Sequence, residues 1–416
     1  MNTFKNLRNS SIPPLNFFTA PLLLSSAGMF LDGYSLTVIA FAIILINPYF
    51  RLNTLESGLI IASVVFGSII GALLIGYFSD VFGRKSVYIL NMAVFVISGI
   101  VSAFSVNFIM LFLSRLALGA AVGADYPVSN SYIAETAPEA LRGKHLSFAG
   151  LSFGIGSIFS SLTAAALFPF GHEMWRFMLG IGVIPAFIVM LLRISMPESE
   201  KWINAKRIKN EYKKNKLYIE GMFSKAHIKN TLLYSSIWFL YDIGAYGIGL
   251  LIPLIFKKSG FISNEGNALI TSLILLIGIA SSAVGLLNID KIGRKKIQLA
   301  GFAGMGISLC LLPSFYGTLA GLAAVIFIAE TFNSLASLTV GIFPAELSLT
   351  SFRSSAYGFS AMSGKIGAVC GVLIMTYFVR ENKDLGYYAV AGLISAAFFL
   401  SFFLPETGNK RLDEIK

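Results

Sequence analysis

The stretch GYFSDVFGRKS, residues 76–86, is a short polar turn between two long apolar runs. A related turn, NIDKIGRKK, occupies residues 288–296 and also joins two apolar runs. Both turns contain Asp, two further residues, Gly and Arg in that order, and 210 residues separate Asp80 from Asp290. A pattern that returns after a long interval predicts a fold built from two copies of one unit.

Two further patterns repeat at nearly the same interval. Glu135 precedes Arg142 by seven residues, and Glu346 precedes Arg353 by seven, with an offset of 211 residues between the two pairs. The sequence Met-Pro-Glu at 196–198 returns 208 residues later as Leu-Pro-Glu. Three similar offsets in a chain of 416 residues indicate that the whole chain is duplicated.

The composition is that of a membrane protein. Of the 416 residues, 56% are hydrophobic and 13% are charged, and the mean hydropathy is +0.75. The hydrophobic core of a soluble domain stops growing well below this chain length. An apolar content this high therefore predicts a protein that lies in a lipid bilayer. Runs of about 20 apolar residues are long enough to cross a bilayer as helices. Twelve such runs cover residues 20–47, 57–79, 87–105, 109–134, 145–169, 174–196, 230–256, 267–289, 297–315, 318–345, 354–378 and 386–404.

Small residues within these runs favour close packing between helices. Glycines four residues apart let two helix backbones approach each other. Such pairs occur at Gly67 and Gly71, Gly119 and Gly123, and Gly367 and Gly371. The sequence therefore predicts an all-α bundle with helices packed against helices.

The positive charges indicate the orientation in the membrane. Of the 32 Lys and Arg residues, 24 fall in the tails or in the loops on the same side as the tails. Arg115 and Lys365 fall within apolar runs, and the opposite side holds Arg51, Arg176, Lys257, Lys258, Arg380 and Lys383. Loops rich in Lys and Arg stay in the cytoplasm, so we expect both termini to be cytoplasmic in a multi-pass plasma-membrane protein. Topology accounts for the net charge of +11, and no nucleic-acid partner is required.

A polar insert at 197–229 divides the chain into two halves. It holds nine basic and four acidic residues and follows the sixth apolar run. We interpret 1–196 and 230–416 as six-helix bundles and 197–229 as a solvated cytoplasmic loop, partly helical and resting on anionic lipid. The N-terminal segment lacks the compact apolar core of a signal peptide, so we expect a cytoplasmic tail.

With these features the chain resembles the major facilitator superfamily. That family has the pattern G-x-x-x-D-x-x-G-R-[RK] after its second helix, matched here by Gly76, Asp80, Gly83, Arg84 and Lys85. The resemblance covers essentially the whole chain. It implies two six-helix bundles that rock about a binding site at the middle of the membrane.

The repeated acids and arginines are candidate gating residues. An acid and an Arg at neighbouring helix ends can pair when a cytoplasmic gate is shut and must separate when it opens. The alternative is a static anchor that fixes topology. The eight candidates are Asp80, Arg84, Glu135, Arg142, Asp290, Arg294, Glu346 and Arg353.

Ionisable residues within the apolar runs are the candidate functional residues, because charges in hydrocarbon are costly. Asp242 has Trp238 four residues before it and Tyr246 four after, which places all three on one helix face. Such a stripe could hold a small polar solute, and the alternative is aromatic packing around a satisfied acid. A carboxyl removed from water can exchange a proton near neutral pH, as a proton-coupled carrier requires. The other members of the group are Asp32, Arg115, Asp125, Glu330 and Lys365.

Four motifs narrow the resemblance to the phosphate:proton symporters of the superfamily. They are G-A-D-Y-P-V-S in the fourth run, W-x-x-x-D-x-x-x-Y in the seventh, P-A-E after the tenth and S-G-K-I-G-A in the eleventh. The resemblance implies that Asp32 and Asp125 lie on the proton path. It also implies that the anion contacts Tyr126, Trp238, Asp242, Tyr246 and Lys365, with Asp242 exchanging a proton as well.

Three positions depart from the family pattern. The second acid of the first helix is Ser35 here, a Gln of the fifth helix is Phe153 or Ser152, and an Asn of the tenth aligns with Ser337, one turn from Asn333. A sugar or an organic acid is therefore the alternative solute. The scarcity of Gln and Asn disfavours a sugar, whereas Lys365 would suit a carboxylate.

Two ionisable residues have less defined roles. Arg115 resembles an Arg of the family's fourth helix, which implies that it stabilises a carboxylate near the proton path. Glu330 matches no family residue. It is either a third proton site or a wet residue near the outer end of the tenth run, and we expect the second.

Other functional classes are less consistent with the sequence. No G-x-x-x-x-G-K-[ST] loop and no metal-ligand cluster is present, and the three His, at 145, 172 and 227, lie in loops or at the edges of runs. We therefore do not expect an enzyme, a metal or a cofactor. A nutrient sensor would need a longer cytoplasmic segment than the 33 residues of 197–229. We expect a monomeric carrier in the lipid bilayer, with a small-molecule solute, most consistent with phosphate, and with protons as the coupling ion.

Overall fold

The protein is described by a computed structural model that covers residues 19–82, 84–136, 142–198, 223–225, 227–348 and 353–407. Within these ranges every regular element is a helix. The first half contains α1 (Ala20–Phe50), α2 (Thr54–Phe82), α3 (Arg84–Ala103), α4 (Phe108–Thr136), α5 (Arg142–Leu167), α6a (Met174–Gly180) and α6b (Val183–Ile194). The second half contains α7a (Ile228–Gly249), α7b (Ile252–Ser259), α8 (Asn264–Ile292), α9 (Arg294–Phe315), α10a (Leu319–Val340), α10b (Ile342–Leu347), α11 (Arg353–Glu381) and α12 (Lys383–Ser401). A short 3₁₀ turn at Phe168–Phe170 follows α5.

Eleven helical spans are long and apolar enough to cross a membrane when α6a and α6b are counted as one, and the bent pair α7a and α7b makes a twelfth. A helix forms its backbone hydrogen bonds within its own segment. This is required in the hydrocarbon of a bilayer, which offers no hydrogen-bonding partners. The prediction of an all-α membrane protein is confirmed.

Three predicted runs are not straight single helices. The run 318–345 is interrupted at Gly341, between α10a and α10b. The run 230–256 bends by 42° between α7a and α7b, and Pro253 lies at the start of α7b. The run 174–196 is interrupted at Ile181–Gly182, and Pro185 follows within the first turn of α6b. Proline supplies no backbone N–H, so a helix readily stops and restarts around it.

The glycine pairs lie where helix backbones meet. A Cβ atom at any of the six predicted glycines would lie 2.0–2.2 Å from a carbonyl oxygen of the neighbouring helix, α2 against α4 or α7a against α11. Gly156 of α5 is equally close to the carbonyl of Phe30 in α1, and Gly367 repeats this contact with Phe239. Only a residue without a side chain fits at these distances. The prediction of close helix packing is confirmed.

The Pro-Glu sequences have a structural role in both halves. The carboxylate of Glu198 accepts hydrogen bonds from the backbone N–H of Lys85 at 3.2 Å, at the start of α3. Glu406 accepts from the N–H groups of Arg294 and Lys295 at 2.8 and 3.2 Å, at the start of α9. A carboxylate is favourable there because the first N–H groups of a helix have no partner within it. Gly293 has a φ of +99°, and a side chain at that position would collide with Glu406.

The two halves touch at the end of the bundle opposite Ala20 and Ser401. The hydroxyls of Ser161 in α5 and Ser272 in α8 lie 2.6 Å apart and are buried. The Arg380 side chain donates to the hydroxyl of Thr54 at 3.1 Å, which joins α11 to α2. α1 also packs against α7b. These contacts close the bundle at the end away from the chain termini.

Candidate functional site

The first cluster of predicted site residues lies in the second half, between α7a and α11. Asp242 is buried, and the indole of Trp238 donates a hydrogen bond to its carboxylate. The charge of the Lys365 ammonium acts on the same carboxylate. Tyr246 completes the cluster, because Lys365 donates a hydrogen bond to its hydroxyl at 2.5 Å. The ammonium also lies 4.5 Å from the centre of the Tyr246 ring.

Gly364 makes room for this cluster on α11. A Cβ at Gly364 would lie 2.4 Å from the indole Cδ1 of Trp238 and 2.8 Å from Oδ2 of Asp242. The Trp238 ring also meets the ring of Tyr357 edge-on, with 5.5 Å between centroids. The indole is therefore held in place by α11. Four of the five predicted solute-contacting residues come together here, and the side chain of the fifth, Tyr126, lies outside what the structure describes.

A second cluster surrounds Asp125 in the first half. Arg193 of α6b forms an ion pair with it, with 2.8 Å from Nη1 to Oδ1, and both side chains are fully buried. Asn91 donates to the same carboxylate at 3.2 Å and Ser129 at 3.1 Å. Gly28 of α1 faces the pair, and a Cβ there would collide with both side chains. The negative charge of Asp125 is thus fully compensated by neighbouring donors.

Arg193 is a site residue that the sequence analysis missed. The charge count assigns it to the tail side, because it lies near the end of the predicted run 174–196. The structure buries it completely, with its guanidinium carbon 3.5 Å from the centre of the Tyr88 ring. Its position inside the apolar segment VMLLRISM was the available signal, because an Arg within such a run needs a partner.

Asp32 lies near this cluster but outside its hydrogen bonds. It is 1% exposed, and neither carboxylate oxygen has a hydrogen-bond partner among the residues that the structure describes. The charges of Asp125 and Arg193 both act on it. The two predicted proton-path acids therefore have opposite surroundings, one paired and one unpaired.

Arg115 does not contact a carboxylate in the described part of the chain. It is 1% exposed, and its Nη2 donates to the backbone carbonyl of Ser35 at 2.5 Å. The described contact of Arg115 is thus with the backbone, and its expected role near an acid stays a prediction.

Glu330 is not near the outer end of its helix, and that expectation was wrong. It is the twelfth of the 22 residues of α10a, about 16 Å along the helix at 1.5 Å per residue. Asn333 donates to Oε2 at 3.1 Å and Ser334 to Oε1 at 3.3 Å. The signal was available in the sequence, because Glu330 lies near the middle of the predicted run 318–345.

One candidate gating pair is visible. Arg294 at the start of α9 lies 3.6 Å from Glu346 of α10b, and both side chains are largely buried. The remaining gating candidates have side chains outside what the structure describes: Asp80, Arg84, Glu135, Arg142, Asp290 and Arg353.

Comparisons with known proteins agree with this architecture. Residues 22–416 match the family described as "Sugar (and other) transporter". The arabinose-proton symporter of Bacillus subtilis (strain 168) is 29% identical, with 94% of this chain and 92% of that protein covered. The probable inorganic phosphate transporter 1-6 of Arabidopsis thaliana is 27% identical, with 96% and 93% covered. The inward-open structure of the xylose transporter XylE from E. coli superposes with a TM-score of 0.80 at 22% identity, covering 95% of this chain and 98% of that one.

Proposed function

This chain belongs to the sugar (and other) transporter family, whose matched relatives are transporters, and we propose that it is a proton-coupled symporter that works by alternating access. The arrangement that carries this proposal is the pair formed by buried Asp242 and half-buried Lys365 on facing helices. When Asp242 binds a proton, the Lys365 ammonium loses its compensating charge and attracts an anion. Proton binding and solute binding then favour each other at one site.

The first half supplies a second proton-binding residue in this proposal. Asp125 forms a buried ion pair with Arg193 and accepts hydrogen bonds from two neutral donors, so it balances the charge of the buried guanidinium. Asp32 has no described hydrogen-bond partner, and a buried carboxylate without a partner is relieved by a proton. We therefore assign proton exchange to Asp32 and a charge-balancing role to Asp125.

We propose inorganic phosphate as the first candidate solute. Lys365, the indole of Trp238 and the hydroxyl of Tyr246 are hydrogen-bond donors within one cluster, and a phosphate oxygen accepts from such groups. Relatives named as inorganic phosphate transporters match 95–96% of this chain. We assign solute binding to Trp238, Asp242, Tyr246 and Lys365, and to Tyr126 from the motif.

A sugar is the second candidate, because a relative named as an arabinose-proton symporter is 29% identical. Trp238 and Tyr357 could stack on a sugar ring, and protonated Asp242 could donate to a hydroxyl. The two solutes make different demands on Lys365. An anion depends on the ammonium charge, whereas a neutral sugar needs only a hydrogen-bond donor.

Alternating access requires contacts that open and close at each end. In this proposal Arg294 and Glu346 belong to the gate at the end of the chain termini, while Ser161 and Ser272 belong to the opposite gate. The orientation is the one expected from the charge distribution, with cytoplasmic termini in the plasma membrane. The carrier acts as a monomer and requires protons but no cofactor.

Uptake into proteoliposomes tests the proposal. Radiolabelled phosphate and arabinose are offered separately under an inward proton gradient to wild type, Asp242→Asn and Asp384→Asn. Asp384 is exposed at the start of α12 and serves as the matched control. We expect phosphate to accumulate in wild type and the control but not in Asp242→Asn. If only arabinose accumulates, the solute is a sugar and not phosphate. If neither solute accumulates and no protons move, the proposal is overturned.

A further inference from the structure

Glu330 faces a narrow cavity that is separate from the cluster around Asp242. Residues of α7a, α7b, α9 and α10a line this cavity, and among the lining residues that the structure describes Glu330 and Asn333 are the polar ones. Its apolar lining includes Ile248, Met305 and Leu309. A carboxylate in such surroundings is exposed to a low dielectric rather than to bulk water.

The carboxylate is hydrogen-bonded but not charge-compensated. Its two described donors, Asn333 and Ser334, are neutral. Among the residues that the structure describes, no cationic side chain forms an ion pair with Glu330. Lys365 approaches the other face of α7a, where it donates a hydrogen bond to Tyr246 and its charge acts on Asp242. A half-buried carboxylate that faces apolar side chains and has no cationic partner is stabilised by binding a cation, and a proton is the smallest.

The second half leaves space for the Glu330 side chain at a point where the first half has no such space. A Cβ on Gly278 of α8 would lie 2.9 Å from Oε1 of Glu330. In the first half the equivalent positions, 211 residues earlier, are Gly67 and Gly119, and there the two helix backbones pack directly. The second half therefore carries a carboxylate in place of a backbone contact.

Hydrogen bonds connect Glu330 to the bent helix. The hydroxyl of Tyr241 in α7a donates to Oδ1 of Asn333 at 3.0 Å, and Asn333 donates to Glu330. The cavity also reaches Gly249 and Ile252, the residues on either side of the bend. Within the described residues, Tyr241 is the titratable group that faces Glu330 from α7a, while α8 and α9 present Gly278 and apolar side chains.

We propose that Glu330 is an additional proton-binding site, located beside the bend of α7 and titrating independently of the Asp242–Lys365 pair. This inference deepens the proposed symport and rests on it for its role in transport. Proton binding itself does not require a solute, so the two proposals can fail separately. If Glu330 takes part in transport, each cycle would move one proton in addition to those bound by Asp32 and Asp242.

Infrared difference spectroscopy of the purified protein in lipid tests the site without any solute. Spectra at high and low pH in sodium-free buffer are compared for wild type, Glu330→Gln, Glu330→Asp and Glu381→Gln. Glu381 is an exposed glutamate at the end of α11 and is the control. We expect a protonated-carboxyl band that Glu330→Gln removes, Glu330→Asp shifts and Glu381→Gln retains.

Two results would overturn the inference. A carboxyl band that persists unchanged in Glu330→Gln would mean that the titrating group lies elsewhere. A band that sodium chloride removes at constant low pH would assign the site to a metal cation instead of a proton. Circular dichroism of each variant verifies that its helices are intact, and Glu330→Asp retains a titrating group if the Gln variant is poorly folded.

Discussion

Arg193 and Asp125 form a fully buried ion pair that joins α6b to α4, with 2.8 Å between Nη1 and Oδ1. Three features surround the pair: the ring of Tyr88 beneath the guanidinium, the amide of Asn91 on the carboxylate, and Gly28 against both. The pair is therefore enclosed by α1, α3, α4 and α6b. Its two charges depend on each other, because no water reaches either one.

Removing one member of this pair should be more damaging than removing both. We expect Arg193→Met and Asp125→Asn to lose about 3–5 kcal/mol each, because each leaves an unpaired buried polar partner. The double variant should lose clearly less than the sum. Thermal unfolding in detergent measures all three, and strictly additive losses would contradict the coupling.

The unpaired acid should behave in the opposite way. We expect Asp32→Asn to keep the stability of the wild type, because its carboxylate has no described hydrogen bond to lose. Gradient-driven accumulation should fall to the level of the leak, while solute exchange without a gradient continues. Paired uptake and counterflow assays measure the difference. If Asp32→Asn still concentrates solute under a proton gradient, Asp32 is not a coupling residue.

A covalent bond between the halves should stop transport reversibly. Ser161 and Ser272 have hydroxyls 2.6 Å apart across the contact of α5 and α8, so cysteines at both positions are close enough to be tested for a disulfide. We expect oxidation of Ser161→Cys with Ser272→Cys to arrest uptake, and reduction to restore it. Each single substitution is the control. Full activity of the cross-linked protein would show that this contact does not need to open.

Two glycines of α11 should respond differently to the same substitution. Gly367→Ala places a Cβ 2.1 Å from the Phe239 carbonyl, and we expect a loss of about 1–3 kcal/mol. Gly358→Ala meets no atom within 4 Å and should gain up to about 1 kcal/mol from higher helix propensity. Thermal unfolding compares the pair. Equal effects would mean that the α7a–α11 contact tolerates separation.

The pair of Arg294 and Glu346 should control access at the end of the chain termini. We expect Glu346→Gln to favour the conformation open at that end, because it weakens an ion pair with a separation of 3.6 Å. Cysteine labelling from that side, in a background in which Cys310 and Cys370 are replaced, reports the opening. Unchanged labelling and transport would support the static-anchor alternative.

Patterns within one helix predicted much of this structure, whereas contacts between helices were harder to anticipate. The stripe of Trp238, Asp242 and Tyr246 follows from helical spacing, and the spaced glycines follow from the needs of backbone packing. The pairing of Arg193 with Asp125 joins residues 68 positions apart, and no periodicity encodes it. The middle position of Glu330 could be predicted from the bounds of its run, whereas the space that Gly278 leaves for its side chain could not.

The Pro-Glu contacts have a consequence for how the chain can be assembled. Glu198 accepts a hydrogen bond from the first turn of α3, and Glu406 accepts one from the first turn of α9. In each half, a residue that follows the last helix therefore caps a helix of the same half. Both partners of each contact thus belong to the same half. Two separately encoded polypeptides, one ending within the 197–229 insert and one beginning there, should therefore reassemble into a working carrier when they are expressed together.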